Sequence, residues 1–290
     1  MSETVKYILL FLLAAMFVVL TCCKTDSAQD RIITVSIEPQ RWLLEQIVGD
    51  KIKVKTFISS GGDPENFDPP MSVVKNASKS IAFMKTGHLQ WEETLIDRIK
   101  ENNGKLTIVD TSEGIPIISG THDHHGQHDS EPDPHIWSSV KNAIKMSDTM
   151  LAEVLKIDPV NAEYYRNNHR KLVARLNLLD QRFQSVVDSL PNPEFLVFHP
   201  SLSYLARDYD LHQLSLGSEN KELSIASLKE KVKNISQNES LIFFCQPDDN
   251  QSGLKSLIQS PRLTVVDINP MSYRWDEEME KILNAFKQNR

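Results

Sequence analysis

Residues 161–190 read NAEYYRNNHRKLVARLNLLDQRFQSVVDSL, a run of thirty residues that contains no Gly and no Pro. Its large apolar residues recur at steps of three and four: Leu172, Leu176, Leu179, Phe183, Val186 and Leu190. This spacing places them on one face of a single α-helix, which at about 1.5 Å per residue would be about 45 Å long. Because that length exceeds one small lobe, we predict a rigid helix that links two lobes. A coiled-coil dimer helix is the alternative.

Short apolar, β-branched runs alternate with helical patterns on both sides of this segment. Such alternation is typical of parallel β-sheets flanked by helices. We therefore predict an α/β protein with an N-terminal lobe at 31–160, a linking helix at 161–190 and a C-terminal lobe at 191–290. The predicted strands are Ile32–Ile37, Lys51–Ile58, Ser80–Met84, Thr107–Asp110, Glu194–Phe198, Leu241–Phe244 and Leu263–Ile268. The predicted helices beside the link are Gln40–Val48, Met71–Ala77, Gln90–Lys100, Ser201–Arg207, Ser227–Ile235, Gly253–Ile258 and Glu277–Lys287.

The first thirty residues have the pattern of an export signal. Lys6 precedes an uncharged apolar run, Tyr7–Leu20. This run offers about 14 residues where a membrane-spanning helix needs about 20, so we predict a secretory signal in place of a membrane span.

The end of the apolar run, Leu20-Thr21-Cys22-Cys23, resembles a bacterial lipobox. The resemblance implies cleavage before Cys23 and acylation of its thiol. We predict a lipoprotein signal peptide at 1–22 and a lipidated tether at 23–30, which would hold the exported protein at a membrane surface. An uncleaved anchor, an ordinary signal peptide and lipidation of Cys22 are the alternatives.

The composition is globular and mildly acidic, with 40% hydrophobic residues, 24% charged residues, a net charge of −7 and a pI near 5.7. This balance argues against a nucleic-acid partner and against a polybasic patch for membrane binding. Lipidation would leave Cys245 as the remaining cysteine of the exported chain. We therefore predict no intramolecular disulfide and a buried Cys245.

A histidine tract occupies the loop at 121–129 and contains His122, His124, His125 and His128. Neutral imidazole is the commonest protein ligand for zinc, and a His-rich tract with Gly and Asp is typical of a solvated, metal-attracting loop. A polar surface loop without a metal role is the alternative for the tract alone. The motif Asp133-Pro134-His135-Ile136-Trp137 follows directly and adds a fifth histidine.

Further polar side chains follow the predicted strands of both lobes. Glu65 lies in the loop after the second strand, and His199 follows the first strand of the C-terminal lobe. Asp267 and Asn269 lie at the end of the last strand. Since ligands of open α/β sheets bind beyond the carboxyl ends of the strands, we expect these groups to face a shared cleft between the lobes.

Together these motifs make the chain similar to the cluster A-I family of solute-binding lipoproteins, which serve ATP-driven zinc and manganese importers. The likeness covers nearly the whole exported chain. It rests on the Gly61–Pro69 loop, the Asp-Pro-His-x-Trp motif at 133–137, the long helix, the Phe198–Tyr204 stretch and the Asn269-Pro270 block. The resemblance implies one divalent ion in the interlobe cleft, a zinc-uptake role with the His tract as an auxiliary loop, and an ABC permease as partner.

Three positions depart from the family pattern. Glu65 stands where the family usually has a histidine ligand, Asn269 where it has an aspartate, and Gln246 where it has a glutamate. Carried over residue by residue, the resemblance implies His135 and His199 as ligands, with Glu65 as a third, since a carboxylate oxygen binds zinc at about 2.0–2.2 Å. Asn269 offers only a neutral carbonyl. The fourth position is open to Asp267, to water or to a tract residue such as His125.

We expect the protein to capture zinc, with manganese or ferrous iron also compatible with this ligand set. It would act as a monomer outside the cytoplasm and deliver the ion to its permease. We expect no enzymatic activity. A zinc-dependent hydrolase and a surface adhesion or heme-scavenging lipoprotein are the alternatives. We also expect Trp137 and Tyr204 to support the neighbouring ligands without touching metal, and His169 to face solvent on the long helix.

Overall fold

The computed structural model describes residues 31–59, 62–119, 132–217, 230, 241–247 and 263–289. The predicted signal peptide, the tether with Cys23, the His tract at 121–129 and the predicted helix at 253–258 lie outside the described residues, as does the helix at 227–235 apart from Glu230. The strands are β1 Ile32–Ile37, β2 Lys53–Ile58, β3 Ala82–Lys85, β4 Thr107–Asp110, β5 Glu194–Val197, β6 His212–Ser215, β7 Leu241–Cys245 and β8 Leu263–Asp267. The α-helices are α1 Glu38–Val48, α2 Met71–Ala77, α3 Gln90–Asn102, α4 Val140–Ile157, α5 Ala162–Val187, α6 Ser203–Asp208 and α7 Trp275–Gln288.

The first lobe is built on a fully parallel sheet with the strand order β2-β1-β3-β4. Ile33 in the central strand β1 pairs with Val54 on one side and with Ala82 on the other. Central strands of a parallel sheet are covered on both faces, which explains why the run Ile33–Ile37 is buried throughout. Pro39 lies in the first turn of α1, where its missing N–H has no partner to lose.

The second lobe repeats the same strand order with different residues. Its sheet is parallel in the order β6-β5-β7-β8, so the first strand of each lobe is central and the second is an edge. The chain crosses from one side of β5 to the other between β6 and β7. A reversal of this kind leaves a crevice at the carboxyl ends of the strands, and His199 follows β5 at that place.

The long helix α5 connects the lobes, as predicted. Its 26 residues correspond to a length of about 39 Å. It packs against α1 and α4 of the first lobe and against α7 of the second. The predicted stripe from Leu172 to Val186 is buried against these helices, so this stripe packs within the protein and does not form a coiled-coil seam.

His169 corrects one prediction, because it does not face solvent. It is only 8% exposed and continues the buried stripe three residues before Leu172. Its Nε2 atom lies 3.1 Å from the Ser147 hydroxyl on α4 and 3.2 Å from a carboxylate oxygen of Asp148. Burial lowers the pKa of His169, and the nearby Asp148 carboxylate opposes that shift. This histidine therefore belongs to the helix packing.

One α-helix and one strand are absent from the prediction. Helix α4 has a clear signal in retrospect, since Val140, Ala143, Met146 and Met150 recur at helical spacing and all are buried. The Ser139 hydroxyl caps this helix by accepting a hydrogen bond from the Asn142 backbone N–H. Strand β6 has a weak signal because it is a short edge strand without alternating apolar residues.

Within the part of the chain that the structure describes, no helix is both long and apolar enough to cross a bilayer.

Candidate metal centre

Three side chains from three separate loops converge between the two sheets. Glu65 comes from the loop after β2, His135 precedes a short 3-10 helix at Ile136–Ser138, and His199 follows β5. The Nε2 atoms of His135 and His199 are 3.2 Å apart, and Oε1 of Glu65 lies 3.4 Å from each of them. Among the residues that the structure describes, this is the one group of three or more His, Cys, Asp or Glu residues whose ligand atoms all lie within 4.8 Å of one another.

The three separations suit a tetrahedral ion. An ion about 2.0–2.1 Å from each of its ligand atoms holds those atoms about 3.3–3.4 Å apart when the angles are tetrahedral. The observed triangle, with sides of 3.2, 3.4 and 3.4 Å, matches one face of such a tetrahedron. The fourth corner then lies outside this group of three side chains.

His135 is oriented by Asp133 in its own motif. The Asp133 carboxylate oxygen Oδ1 lies 2.9 Å from Nδ1 of His135 and also accepts the backbone N–H of His135 at 2.9 Å. Burial raises the pKa of Asp133, but the hydrogen bonds and charge of His135 outweigh burial and leave the pKa below its ordinary value. An ionised Asp133 can only accept, so Nδ1 of His135 carries a proton, and Nε2, which faces Glu65 and His199, is the nitrogen left to bind a metal.

The loop that carries Glu65 is held on both sides of the residue. Oδ1 of Asp63 accepts the backbone N–H of Glu65 at 2.8 Å, which forms a tight turn. The indole N–H of Trp91, at the start of α3, donates to the carbonyl of Pro64 at 2.8 Å. Partial burial raises the pKa of Glu65, but the imidazoles of His199 and His135 outweigh burial, and the pKa lies below its ordinary value. Glu65 therefore presents an anionic oxygen to the two imidazoles at neutral pH.

His199 is held through its backbone carbonyl. The side-chain amide of Gln246, directly after β7, donates to this carbonyl at 3.1 Å, and the backbone N–H of Ser201 donates to it at 2.8 Å. Gln246 thus acts as a hydrogen-bond donor to the loop that presents His199. The His199 side chain is 30% exposed, whereas that of His135 is 5% exposed. The cluster therefore opens to solvent on the His199 side.

The other predicted site residues either lie outside the cluster of Glu65, His135 and His199 or fall outside the described residues. Asp267 is exposed on β8 and is not a member of the three-residue cluster. The side-chain oxygen of Asn269 accepts the backbone N–H of Met271 at 3.0 Å. The tract histidines and Cys23 lie outside the described residues.

Trp91 was missed by the sequence reasoning. Trp91 and Pro64 are 27 positions apart in the sequence, and a tryptophan on a predicted helix is normally expected to pack in the hydrophobic core. No local pattern could reveal this contact, because it depends on how α3 packs beside the loop after β2. By contrast, Trp137 and Tyr204 were expected beside the ligands. The Trp137 ring lies 5.2 Å from the His135 ring, and the Tyr204 hydroxyl donates to the carbonyl of Asp133.

Residues 33–289 match the family described as zinc-uptake complex component A, periplasmic (ZnuA). The chain belongs to this family. The match covers both sheets, the long helix and all three clustered side chains. The ZnuA family is a family of extracytoplasmic solute-binding components, in agreement with the resemblance drawn from the motifs.

Individual relatives and solved structures agree with this assignment. The chain is 29% identical over 255 residues to the high-affinity zinc uptake system protein ZnuA of Bacillus subtilis, covering 81% of this chain and 79% of the relative. It is 25% identical over an alignment 303 positions long to the zinc-binding lipoprotein AdcA of Streptococcus pneumoniae, covering 97% of this chain but only 60% of the longer relative. A crystal structure of ZnuA superposes with a TM-score of 0.79 and 26% identity, covering 89% of this chain and 98% of that one. The predicted two-lobed α/β fold is therefore confirmed.

Proposed function

We propose that this protein captures one zinc ion between its two lobes and delivers it to an ABC permease in the cytoplasmic membrane. The proposed ligands are Nε2 of His135, Nε2 of His199 and Oε1 of Glu65. The observation that carries the proposal is the triangle of ligand atoms with sides of 3.2–3.4 Å, because it has the dimensions of one face of a tetrahedral zinc site.

Zinc is favoured over manganese and ferrous iron by the chemistry of the donors. Two imidazoles and one carboxylate suit zinc, whereas manganese prefers a larger set of oxygen ligands. The two side chains that depart from the family pattern in the second lobe, Gln246 and Asn269, supply neutral amides in place of carboxylates. The relatives from Bacillus subtilis and Streptococcus pneumoniae carry names that refer to zinc, which supports the same choice.

The fourth position of the ion is proposed to be filled from outside the cluster. Water, Asp267, or a residue of the tract such as His125 are the candidates, with the tract His122, His124, His125 and His128 as an auxiliary loop. Asn269 is a weaker candidate, because its carbonyl is neutral and already accepts the Met271 N–H. Water at this corner would let the ion exchange ligands when it passes to the permease.

The location and organisation of the protein form part of the proposal. We propose a signal peptide at 1–22 and acylation of Cys23, with a tether at 23–30 that keeps the protein near its permease. The name of the streptococcal lipoprotein supports lipid anchoring. The lobes are proposed at 31–160 and 191–290 around the link at 161–190. We propose a monomer and no enzymatic activity, since a carrier must bind its ion without turning anything over.

The test is zinc accumulation by cells that lack this protein. Cells complemented with the wild-type chain should accumulate zinc from a zinc-limited medium, and cells carrying His135→Ala with His199→Ala should not. Equal accumulation by both would contradict the carrier function. The purified zinc-loaded protein should leave generic ester and peptide substrates intact, and zinc-dependent hydrolysis that the same double variant loses would replace the carrier with a hydrolase.

A further inference from the structure

The short helix α6 of the second lobe is hydrogen-bonded to the first lobe beside the proposed metal centre. Tyr204 on this helix is fully buried. Its hydroxyl accepts the backbone N–H of Ile118 at 3.2 Å and donates to the backbone carbonyl of Asp133 at 2.7 Å. The hydroxyl therefore joins two neighbouring chain segments, since the N–H of Asp133 also donates to the carbonyl of Ile118 at 2.8 Å.

The same helix holds the other side of His135 through Arg207. The Arg207 guanidinium lies over the Tyr204 ring, 4.9 Å from its centroid, and donates to the side-chain oxygen of Asn142 at 3.1 Å. The amide nitrogen of Asn142 then donates to the carbonyl of Ile136 at 3.0 Å. Asp133, two residues before His135, and Ile136, directly after it, are thus both connected to one helix of the opposite lobe.

This helix also begins four residues after His199, in the same loop that presents the second imidazole. A hydrogen bond from Tyr204 to Asp133 therefore acts on both imidazoles: it fixes the Asp133 backbone on one side, and it sets the distance to the His199 loop on the other. The Asp133 carboxylate completes the path, because its Oδ1 atom lies 2.9 Å from Nδ1 of His135.

We propose that Tyr204 is a positioning residue of the metal centre, whose hydroxyl fixes Asp133 so that Asp133 holds the His135 imidazole with Nε2 facing His199. The inference rests on the proposed function, because it assigns a role at that same centre. The hydroxyl is hydrogen-bonded to the backbones of Ile118 and Asp133, so its effect on the proposed ligands passes through the backbone of Asp133.

The test compares Tyr204→Phe with Tyr209→Phe. Tyr209 is a matched control, because it is also buried, follows the same helix, and donates its hydroxyl to Asp180 on α5 at 2.8 Å, away from the metal centre. Loss of an outer partner of a metal-bound histidine typically weakens metal binding about 10–100-fold, and we expect about tenfold for Tyr204→Phe in zinc titration calorimetry. Tyr209→Phe should lower thermal stability and leave the zinc affinity unchanged.

A second readout separates positioning from general stability. In ¹⁵N NMR spectra of the metal-free protein, the His135 ring should carry its proton on Nδ1, and Tyr204→Phe should produce a mixture of the two tautomers. If Tyr204 acts through Asp133, Tyr204→Phe should weaken zinc binding less in an Asp133→Asn variant than in the wild-type protein, because Asp133→Asn already disrupts the same contact with His135. Wild-type affinity together with a wild-type tautomer in Tyr204→Phe would overturn the inference, and so would equal loss of affinity in both tyrosine variants.

The failure of this inference is distinguishable from failure of the proposed function. If wild-type protein does not bind zinc, the proposed function fails, while the tautomer measurement on metal-free protein still decides whether Tyr204 positions His135. If wild-type protein binds zinc and Tyr204→Phe matches it in both zinc affinity and His135 tautomer, the inference fails and the carrier function stands.

Discussion

The indole N–H of Trp275 donates a hydrogen bond to the backbone carbonyl of Trp137 at 2.8 Å. The indole N–H of Trp137 in turn donates to the carbonyl of Pro270 at 3.1 Å, and both tryptophans are 1% exposed. Trp137 lies two residues after His135 in the first lobe, whereas Trp275 begins the last helix of the second. The two lobes therefore share a buried junction directly behind one of the proposed ligands. Together with α5, this junction restricts the motion of one lobe against the other.

Loss of this junction should destabilise the whole protein. Trp275→Phe removes the hydrogen bond and leaves the Trp137 carbonyl buried without that donor, so we expect the free energy of unfolding to fall by about 1–3 kcal/mol. Urea denaturation of the metal-free protein measures the change. Trp42→Phe is the control, because Trp42 packs 5.5 Å from Trp275 and its indole N–H has no partner among the described residues. An equal loss in both variants would assign the effect to ring packing and not to the hydrogen bond.

The zinc affinity should fall steeply on acidification. Zinc binds neutral imidazole, and histidine side chains generally protonate near about pH 6.5. The pKa of Glu65 lies below its ordinary value of 4.5, so this carboxylate stays ionised over that range. Two protons therefore compete with one zinc ion, and the logarithm of the affinity should fall with a slope approaching two below about pH 6. Chelator competition at a series of pH values measures the slope, and a slope of one would mean that one imidazole does not bind the ion.

Glu65 should contribute affinity through its charge. Glu65→Gln keeps the shape of the side chain and removes the anionic oxygen, so we expect zinc binding to weaken by about tenfold or more, in the range seen for altered metal ligands and their partners. Glu65→His supplies a third imidazole and should retain tight binding with a steeper pH dependence, because three protons then compete with zinc. Calorimetry on both variants at neutral and acidic pH checks this. Unchanged binding in Glu65→Gln would remove Glu65 from the ligand set.

Much of the fold could be predicted because it rests on local patterns. The apolar stripe of α5 and the buried run of β1 depend on residues close together in the chain, and the carboxyl-end rule for α/β sheets placed Glu65 and His199 at one crevice. The same helical spacing places His169, three residues before Leu172, on the buried face of α5. The prediction that His169 faces solvent is wrong because this histidine packs beside Ser147.

The supports of the candidate site could be predicted only in part. The Asp133–His135 pair is adjacent in sequence, and its spacing allows a carboxylate to reach the ring. The contact of Trp91 with Pro64 and the contact of Tyr204 with Ile118 join residues that are far apart in the chain. Such contacts depend on how helices settle against the sheets, and no pattern within one segment of the sequence contains that information.

Zinc titration calorimetry on the protein beginning after Cys23, beside the His135→Ala, His199→Ala double variant, tests the central claim most directly. We predict that the wild-type protein binds one zinc ion tightly and more strongly than manganese, and that the double variant loses this site. Retention of the tight site by the double variant would move zinc binding to the tract between His122 and His128, and absence of tight binding in the wild-type protein would contradict the carrier function itself.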